Sequence, residues 1–488
     1  MADYIIAIDQ STQSTKALLF DGQGRIRLRV DRPHRQLIDE KGWVEHDPEE
    51  IWQNVFNLIP ELLQKSGVSP EDIRAVGVSN QRETAVMWER ATGKPVYNAV
   101  VWQCARGAAI CEGLEEHAEA IRQKTGLQMS PYFSAAKLAW ILQNVPGIKE
   151  RAERGEICCG TVDSYLLYRL TGGKAFKTDF SNASRTQLFN LHTLAWDEDI
   201  LSLFGIPACC MAEVTDSDGV FGETDFEGTL PRPVPIHCML GDSHAALFAQ
   251  GCLDRGMIKV GYGTGSSIMM NIGESPLLSD KGVVTSLAWK LKGKVSYILE
   301  GNVNYSGAIV TWLKDQAGLL KTSAESEELA KRANPLDKTY LVPAFSGLGA
   351  PYWRSDVSAA FIGMSRATGR AELVKAGLEA IAYQITDIVD IMRDEARIPD
   401  IELRVDGGPS RNGWLMQFQS DILRCPVLIP EAEELSCVGV AYAAGMALGM
   451  YGEEIFENNC YSRYEPRMDE AARKARHAGW KAAVQRIL

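Results

Sequence analysis

Two turns rich in hydroxyl groups and glycine are the parts of this sequence best suited to bind phosphate. Residues 9–14 (DQSTQS) and 262–267 (YGTGSS) each separate two apolar runs and lie about 250 residues apart. Backbone N–H groups and hydroxyls in such turns can surround phosphate oxygens. The candidate donors are Thr12, Ser14 and Lys16 in the first turn, and Gly263, Thr264 and Gly265 in the second. Either turn alone also fits an ordinary hairpin, but their recurrence favours two turns that clamp a phosphate chain.

Asp242 is the candidate general base. It belongs to the segment GDSH at residues 241–244, after an apolar strand predicted over 236–240 and before a helix predicted to begin at Ala245. A carboxylate at that junction either caps the helix or accepts a proton in a cleft. The sequence leaves both interpretations open.

A mixed polar and aromatic set indicates a pocket for a small polyhydroxylated molecule. Arg82 and Glu83 follow a predicted strand over 73–78, and Trp102 and Tyr132 add flat apolar faces. Charge, hydrogen-bonding capacity and aromatic surface are what such a pocket combines. Taken singly, the two aromatic residues also fit an ordinary core.

A third glycine turn, Asp406-Gly407-Gly408, lies between a predicted strand (403–405) and a predicted helix (414–423). A helix N-terminus beside tight glycines could hold a nucleotide, although a plain β-to-α loop has the same pattern. The sequence contains neither G-x-x-x-x-G-K-[ST] nor a G-x-G-x-x-G after a strand. A P-loop ATPase and a dinucleotide fold are therefore not supported.

The predicted elements place these turns in two similar halves. The patterns of residues 4–21 and of 258–272 both predict two strands joined by a turn. A helix over 49–65 follows Asp47-Pro48, and apolar residues in steps of three and four predict a long amphipathic helix over 369–397. Alternating strands and helices with a repeated turn indicate an α/β protein of two duplicated lobes.

Composition excludes several other classes of protein. The net charge of −12 argues against sequence-independent nucleic-acid binding. The longest apolar or small-residue run, 438–450, is too short to span a bilayer. The N-terminus lacks the basic region of a signal peptide, and eleven irregularly spaced Cys fit reduced thiols. We therefore expect a cytoplasmic protein without nucleic-acid or membrane partners.

Seven longer motifs are distributed along nearly the whole chain. They are residues 42–48 (GWVEHDP), 79–84 (SNQRET), 98–104 (NAVVWQC), 131–142 (PYFSAAKLAWIL), 182–186 (NASRT), 347–353 (GLGAPYW) and 416–423 (MQFQSDIL). Together they resemble the FGGY family of carbohydrate kinases, and within it the members that phosphorylate glycerol most of all. The resemblance implies an α/β fold of two ribonuclease H-like, actin-like ATPase lobes with a central cleft. We expect residues 1–245 to form the sugar- or polyol-binding lobe and 246–488 the nucleotide-binding lobe.

The resemblance also implies roles for individual residues. Asp242 matches the catalytic base, and Asp9 matches the carboxylate associated with Mg²⁺, through water. The acceptor contacts it implies are Arg82, Glu83, Trp102, Tyr132, Asp242, Ser243 and Ser267. The nucleotide contacts are Thr12, Gln13, Ser14, Lys16, Thr264, Gly307, Thr311, Gly408 and Asn412.

Three positions depart from the pattern of the members that phosphorylate glycerol. Ser11 replaces the glycine usual in the first turn, Ser243 a glutamine, and Ser267 a phenylalanine of the acceptor site. The last two changes remove bulk and an apolar wall. The pocket should therefore accept a broader range of polyols than glycerol alone.

The expected function is ATP-dependent phosphorylation of a primary hydroxyl of a small polyol or sugar, with glycerol giving glycerol 3-phosphate. The alternatives are a kinase for a tetritol, xylulose or ribulose, and, from another class, a non-catalytic actin-like nucleotide-binding protein. The expected cofactors are ATP and Mg²⁺. We also expect a homo-oligomer, either a dimer or a tetramer.

Overall fold

The computed structural model describes residues 3–352, 354 and 356–488. Trp353, the last residue of the motif at 347–353, lies outside the described residues. The strands are β1 (Tyr4–Gln10), β2 (Ser14–Phe20), β3 (Ile26–Pro33), β4 (Leu37–Ile38), β5 (Val44–His46), β6 (Ile73–Asn80), β7 (Ala85–Glu89), β8 (Ala99–Val100), β9 (Ile157–Thr161), β10 (Lys177–Asp179), β11 (Phe189–Asn190), β12 (Ala195–Trp196), β13 (Glu213–Thr215), β14 (Val220–Thr224), β15 (Val234–Gly241), β16 (Met257–Tyr262), β17 (Ser266–Gly273), β18 (Val284–Leu291), β19 (Lys294–Val303), β20 (Tyr340–Val342), β21 (Ala360–Ile362), β22 (Glu402–Gly407), β23 (Val427–Pro430) and β24 (Tyr461–Tyr464). The α-helices are α1 (Pro48–Ser66), α2 (Ala108–Gly113), α3 (Ala118–Thr125), α4 (Ser134–Asn144), α5 (Ile148–Glu153), α6 (Val162–Leu170), α7 (Phe180–Ala183), α8 (Glu198–Leu203), α9 (Asp242–Ala249), α10 (Gly307–Asp315), α11 (Glu325–Arg332), α12 (Arg370–Ala396), α13 (Gly413–Leu423), α14 (Leu435–Ala447) and α15 (Glu470–Gln485).

Two central sheets repeat the same arrangement. The N-terminal sheet has the order β14-β15-β6-β1-β2-β3, and the C-terminal sheet has the order β18-β19-β17-β16-β22-β23-β24. In each sheet a hairpin (β1–β2, β16–β17) pairs with a parallel neighbour on its other side (β6, β22). The duplication predicted from the two turns is therefore confirmed at the level of strand topology.

Helices α9 and α14 pack against each other in a buried cluster that also contains residues of both sheets. α14 covers strands β1, β6 and β15, although it comes from the C-terminal half of the chain. The backbones approach so closely that a Cβ at Gly439 would lie 1.9 Å from the Ala245 carbonyl oxygen. The buried residues of α14 run without a gap from Cys437 to Gly445, which explains why this part of the helix is apolar around its whole circumference.

Most predicted elements are present close to the expected bounds. Helix α1 begins after Asp47, whose side chain accepts a hydrogen bond from Glu49 N. The helix predicted over 369–397 is present as α12, with nearly the same bounds. One boundary was wrong: α9 begins at Asp242, not at Ala245. The predicted lobe boundary between residues 245 and 246 falls inside this helix and stays a prediction.

All eleven cysteines are free, and only Cys209 and Cys460 are exposed.

In the described part of the chain, no helix has both the length and the apolar character needed to cross a bilayer.

Candidate active site

The predicted acceptor pocket is built on the loop that follows β6. Arg82 and Glu83 are at most 6 % exposed. Glu83 has a φ of 58°, in the left-handed region that a non-glycine residue rarely adopts. Ser134 at the start of α4 holds this backbone by donating a hydrogen bond of 3.0 Å to the Glu83 carbonyl oxygen. Such backbone strain is typical of functional positions.

Four buried charges form one neutral network beneath the pocket. Arg82 donates two hydrogen bonds, of 2.9 and 3.1 Å, to the two carboxylate oxygens of Glu300. Arg185 donates a 2.6 Å hydrogen bond to Glu83 and lies 3.1 Å from a Glu300 oxygen. The two positive guanidinium groups balance the two negative carboxylates. This pairing lowers the free-energy cost of removing the four charges from water. Because Glu300 belongs to β19, the network joins the two halves of the molecule.

Asp242 is the first residue of α9 and points into a cleft. One carboxylate oxygen lies 3.4 Å from Arg82 Nε and accepts a 2.6 Å hydrogen bond from Ser243 N. The other oxygen makes no hydrogen bond with any described residue, and 32 % of the side chain is exposed. The helix-cap interpretation of Asp242 was wrong, because Gly241 occupies the N-cap position. The side chain is therefore available to accept a proton.

Trp102 and Tyr132 form one wall, both half-buried. Their rings meet edge to face with centroids 5.5 Å apart. Trp102 Nε1 donates a 3.0 Å hydrogen bond to Thr12 Oγ1, which links this wall to the first hydroxyl-rich turn. Burial raises the pKa of Tyr132, so its hydroxyl stays protonated and can donate to a ligand.

Lys137, which the sequence analysis missed, holds the loop that carries Tyr132. Its ammonium group donates to the carbonyl oxygens of Pro131 (2.7 Å), Tyr132 and Phe133 (3.1 Å). All three of its donors are used. Burial nevertheless lowers the pKa of Lys137 to about 7.

Ser243 and Ser267 approach the site from different elements. Ser243 follows Asp242 in α9 and lines the cleft. Ser267 lies opposite Asn302 on β19, and Met269 on the same face lies opposite Glu300. Period-two alternation therefore puts Ser267 and Glu300 on one face of the sheet. The Ser267 hydroxyl is buried and has no hydrogen-bond partner among the described residues.

The first turn is a tight hairpin, and Lys16 in the strand that follows it, β2, contacts two carboxylates. Ser11 closes the turn, because its backbone N–H and its hydroxyl both donate to the Ser14 carbonyl oxygen at 2.9 Å. Lys16 Nζ lies 2.8 Å from Glu434 and 3.6 Å from Asp9. Burial, above all, raises the pKa of Asp9 to about 6, while Lys16 acts to lower it. Gln13 is exposed beside these residues.

A cavity of about 400 Å³ brings together four of the predicted nucleotide contacts, Thr264, Gly307, Thr311 and Gly408. The second turn is fixed to the start of α10, since Gly307 N donates to the Gly263 carbonyl oxygen at 2.9 Å. A Cβ at Gly307 would lie 2.6 Å from that oxygen, so glycine is required there. Trp312, which the sequence analysis missed, also lines the cavity. It lies four residues after Ala308, the spacing that places both on one face of α10.

Asn412 is not among the residues that line this cavity. Its side chain caps α13 by accepting a 2.9 Å hydrogen bond from Leu415 N. Its contact with a nucleotide stays a prediction.

A smaller cleft of about 170 Å³ lies where the two halves meet. Its charged lining residues are Lys16, Asp242, Lys259, Asp406, Glu433 and Glu434. Glu300, Arg185 and Lys259 were all missed by sequence reasoning. For Glu300 and Lys259 the available signal was a charged residue inside an otherwise apolar strand, as in Ile298–Glu300 of β19 and Ile258–Val260 of β16.

Known proteins resemble this chain over its full length. Residues 4–249 match the N-terminal domain of the FGGY family of carbohydrate kinases, and residues 258–448 match the C-terminal domain. Glycerol kinase 1 of Thermotoga maritima is 49 % identical over 490 residues, covering 99 % of both chains. The glycerol kinase of Bacillus licheniformis is 45 % identical over 489 residues, again covering 99 % of both. The crystal structure of Plasmodium falciparum glycerol kinase with ADP has a TM-score of 0.95 and 33 % identity, covering 100 % of this chain and 98 % of that one.

Proposed function

Because the chain belongs to the FGGY family of carbohydrate kinases and is an ATP-dependent kinase, we propose that it phosphorylates a primary hydroxyl of glycerol, giving ADP and glycerol 3-phosphate. The observation that carries the proposal is the free carboxylate oxygen of Asp242 in the cleft, while the other oxygen is held by Ser243 N and lies 3.4 Å from Arg82 Nε. The relatives named glycerol kinase, which are 45–49 % identical over nearly the whole chain, support glycerol as the acceptor.

Asp242 accepts the proton of the attacking hydroxyl, a role worth roughly 10² to 10⁴ in rate. Arg82 has five N–H donors and uses two of them on Glu300, so others remain for the acceptor hydroxyls. Glu83 and Tyr132 supply an acceptor and a donor beside it, and the Trp102 ring covers the carbon skeleton. Closure of the two halves around the cleft excludes water that would compete as a phosphoryl acceptor.

ATP fits the cavity beside Thr264, Gly307, Thr311 and Gly408, whose glycines admit a ligand close to the backbone. Mg²⁺ fits next to Asp9, because a buried carboxylate beside the phosphate turn offers the oxygen donors that this ion prefers. When bound, Mg²⁺ neutralises charge on the phosphates. Lys16 and Thr12 in the first turn, with Thr264 in the second, bind the phosphate oxygens.

A kinase for a tetritol or a ketopentose is the second candidate. The buried Ser267 hydroxyl, which has no hydrogen-bond partner among the described residues, favours it, because an unpaired polar group in a pocket is best satisfied by an additional ligand hydroxyl. A non-catalytic actin-like protein is the remote alternative, and ATP turnover independent of any polyol would favour it.

A coupled ADP-release assay tests these candidates with glycerol, erythritol, threitol, dihydroxyacetone, xylulose and ribulose as acceptors. We expect the highest kcat/KM for glycerol, with measurable activity on a four-carbon polyol. A ketopentose that exceeds glycerol contradicts the proposed acceptor, and equal ADP release with and without acceptors contradicts the kinase mechanism.

We propose the cytoplasm as the compartment, where ATP is abundant and eleven free cysteines stay reduced. We also propose that identical chains form a dimer or a tetramer. Light scattering of the purified protein tests this assembly.

A further inference from the structure

Lys259 places a positive charge at the cleft, and its ammonium group has no close hydrogen-bonding or ion-pair partner among the described residues. It lies on β16, is 4 % exposed and lines the same cleft as Asp242 and Lys16. Its Nζ makes no hydrogen bond to a described residue, and the contact with a carboxylate is 3.8 Å, to Asp406. That carboxylate oxygen already accepts a 2.9 Å hydrogen bond from Gln250.

The other buried or cleft lysines all have a hydrogen-bond partner, unlike Lys259. Lys137 donates to three carbonyl oxygens, Lys16 is held between Glu434 and Asp9, and the buried Lys375 donates to the Asn334 carbonyl oxygen at 3.3 Å. A nearly buried ammonium group without hydrogen bonds costs folding free energy. Such a group is retained where a ligand supplies the missing acceptors, as in an anion-binding site.

The direction of the Lys259 side chain is fixed by the strand. Lys259 lies opposite Met269, which lies opposite Glu300, so all three share the sheet face that carries Ser267. A Cβ at Gly261 would lie 2.7 Å from Lys259 Nζ. The ammonium group therefore lies over the strand that leads into the second turn, Gly263–Gly265, and a glycine leaves room for it.

We propose that Lys259 binds the phosphoryl group in transfer and is a further catalytic residue, contributed by the C-terminal half. This inference rests on the proposed kinase function. In the reaction the bond from the γ-phosphorus to the β–γ bridging oxygen breaks, and its electron pair leaves with ADP. The acceptor oxygen forms the new bond and passes its proton to Asp242. Lys259 keeps its proton and donates hydrogen bonds to the equatorial oxygens, where charge accumulates.

The test compares Lys259→Met with Lys294→Met, which removes an exposed lysine of the same sheet that has no ion pair among the described residues. Affinities for Mg-ADP and for the β,γ-imido analogue of Mg-ATP are measured by calorimetry without an acceptor. We expect Lys259→Met to weaken the analogue about tenfold and ADP less than twofold, and kcat to fall about 10². We also expect an unchanged or higher melting temperature, because a poorly paired buried cation is removed. Lys294→Met should match the parent in all four measurements.

Equal losses for ADP and the analogue, or a kcat within threefold of the parent, overturn the proposal. Lys259→Gln provides the same comparison if the methionine variant does not fold, since it keeps a polar tip without the charge. The binding measurements need no acceptor. A parent enzyme that binds the analogue but phosphorylates none of the six acceptors therefore contradicts the proposed function, while the ADP-to-analogue ratio still decides the role of Lys259.

Discussion

At the residue scale, the proposed chemistry depends on one carboxylate, that of Asp242, whose two oxygens have different surroundings. One oxygen of Asp242 is held by Ser243 N at 2.6 Å and faces Arg82. The other faces the cleft without a partner among the described residues. The first oxygen fixes the orientation of the carboxylate, and the second is free to take a proton.

We expect Asp242→Asn to lower kcat by about 10² or more, because an amide cannot accept the proton of the attacking hydroxyl. The affinity for Mg-ADP and the melting temperature should change little, since Asp242 is not the cap of α9. Steady-state kinetics and calorimetry measure these quantities. Asp400→Asn, at an exposed aspartate, is the matched control. A variant that keeps more than half of the parent turnover would show that Asp242 is not the base.

We propose that Ser267 and Ser243 set the space available to the acceptor. The double variant Ser267→Phe with Ser243→Gln should raise the ratio of kcat/KM for glycerol to that for erythritol by about tenfold, because the added bulk excludes an extra hydroxymethyl group. Parallel kinetics on both polyols measure the ratio. If neighbouring side chains already fill the space, the double variant overpacks the site and loses activity on every acceptor. A ratio that does not rise contradicts the role of these serines.

At the scale of elements, the two hairpin turns differ in what they touch. Thr264 is exposed at the nucleotide cavity, and its carbonyl oxygen accepts a 3.1 Å hydrogen bond from Ala308 N in α10. Thr12 instead accepts a hydrogen bond from the Trp102 indole. The first turn therefore contacts the aromatic wall formed by Trp102 and Tyr132, whereas the second lines the cavity proposed for the nucleotide.

We expect Thr264→Val to raise the KM for Mg-ATP several-fold without changing the KM for glycerol. Thr12→Val should raise both, because it also leaves the Trp102 N–H without its acceptor. Initial-rate kinetics with each substrate varied in turn measure the four constants, with Thr322→Val at an exposed position as the control. If the KM for Mg-ATP were unchanged in both variants, the turns would be ordinary hairpins that do not bind the phosphates.

At the scale of the whole molecule, Glu300 joins the two halves. It is 1 % exposed and pairs with Arg82 and Arg185, which belong to the N-terminal half. Burial alone would raise the pKa of Glu300, but Arg185 and Arg82 outweigh it and hold the pKa well below its usual range. The network thus ties one sheet to the other beneath the proposed acceptor site.

We expect Glu300→Gln to lower the free energy of unfolding by about 3–5 kcal/mol at pH 7, because two buried guanidinium groups lose their shared partner. Arg82 should also lose its orientation, so the KM for the acceptor should rise about tenfold. Urea denaturation and initial-rate kinetics measure these effects, with Glu274→Gln at an exposed position as the control.

The same variant gives a pH test. A glutamate in an unfolded chain is protonated below about pH 4.3, while folded Glu300 stays ionised. Its stabilising contribution is therefore present above about pH 4.3 and is lost as the pH falls below that value. The difference in free energy of unfolding between parent and variant should shrink as the pH falls from 6 to 3. A constant difference would contradict the ion-pair assignment.

The sequence by itself determined the local structure and supplied most of the candidate site residues. The turns at residues 9–14 and 262–267, the strand before Arg82 and helix α12 were all predicted close to their observed bounds. They depend on side-chain periodicity and turn chemistry, which are properties of neighbouring residues. Four of the predicted nucleotide contacts accordingly line one cavity.

Only the tertiary structure decided which charged groups meet. Arg82 and Glu300 are 218 residues apart, and a glutamate within a strand pattern is equally compatible with solvent or with a buried pair. Likewise, no local signal places α14 against the N-terminal sheet, or Lys259 at the cleft without a hydrogen-bond partner among the described residues. These contacts follow from the duplicated sheets packing through α9 and α14, because the free energy of a buried charge is set by the partners that the fold supplies and not by its sequence neighbours.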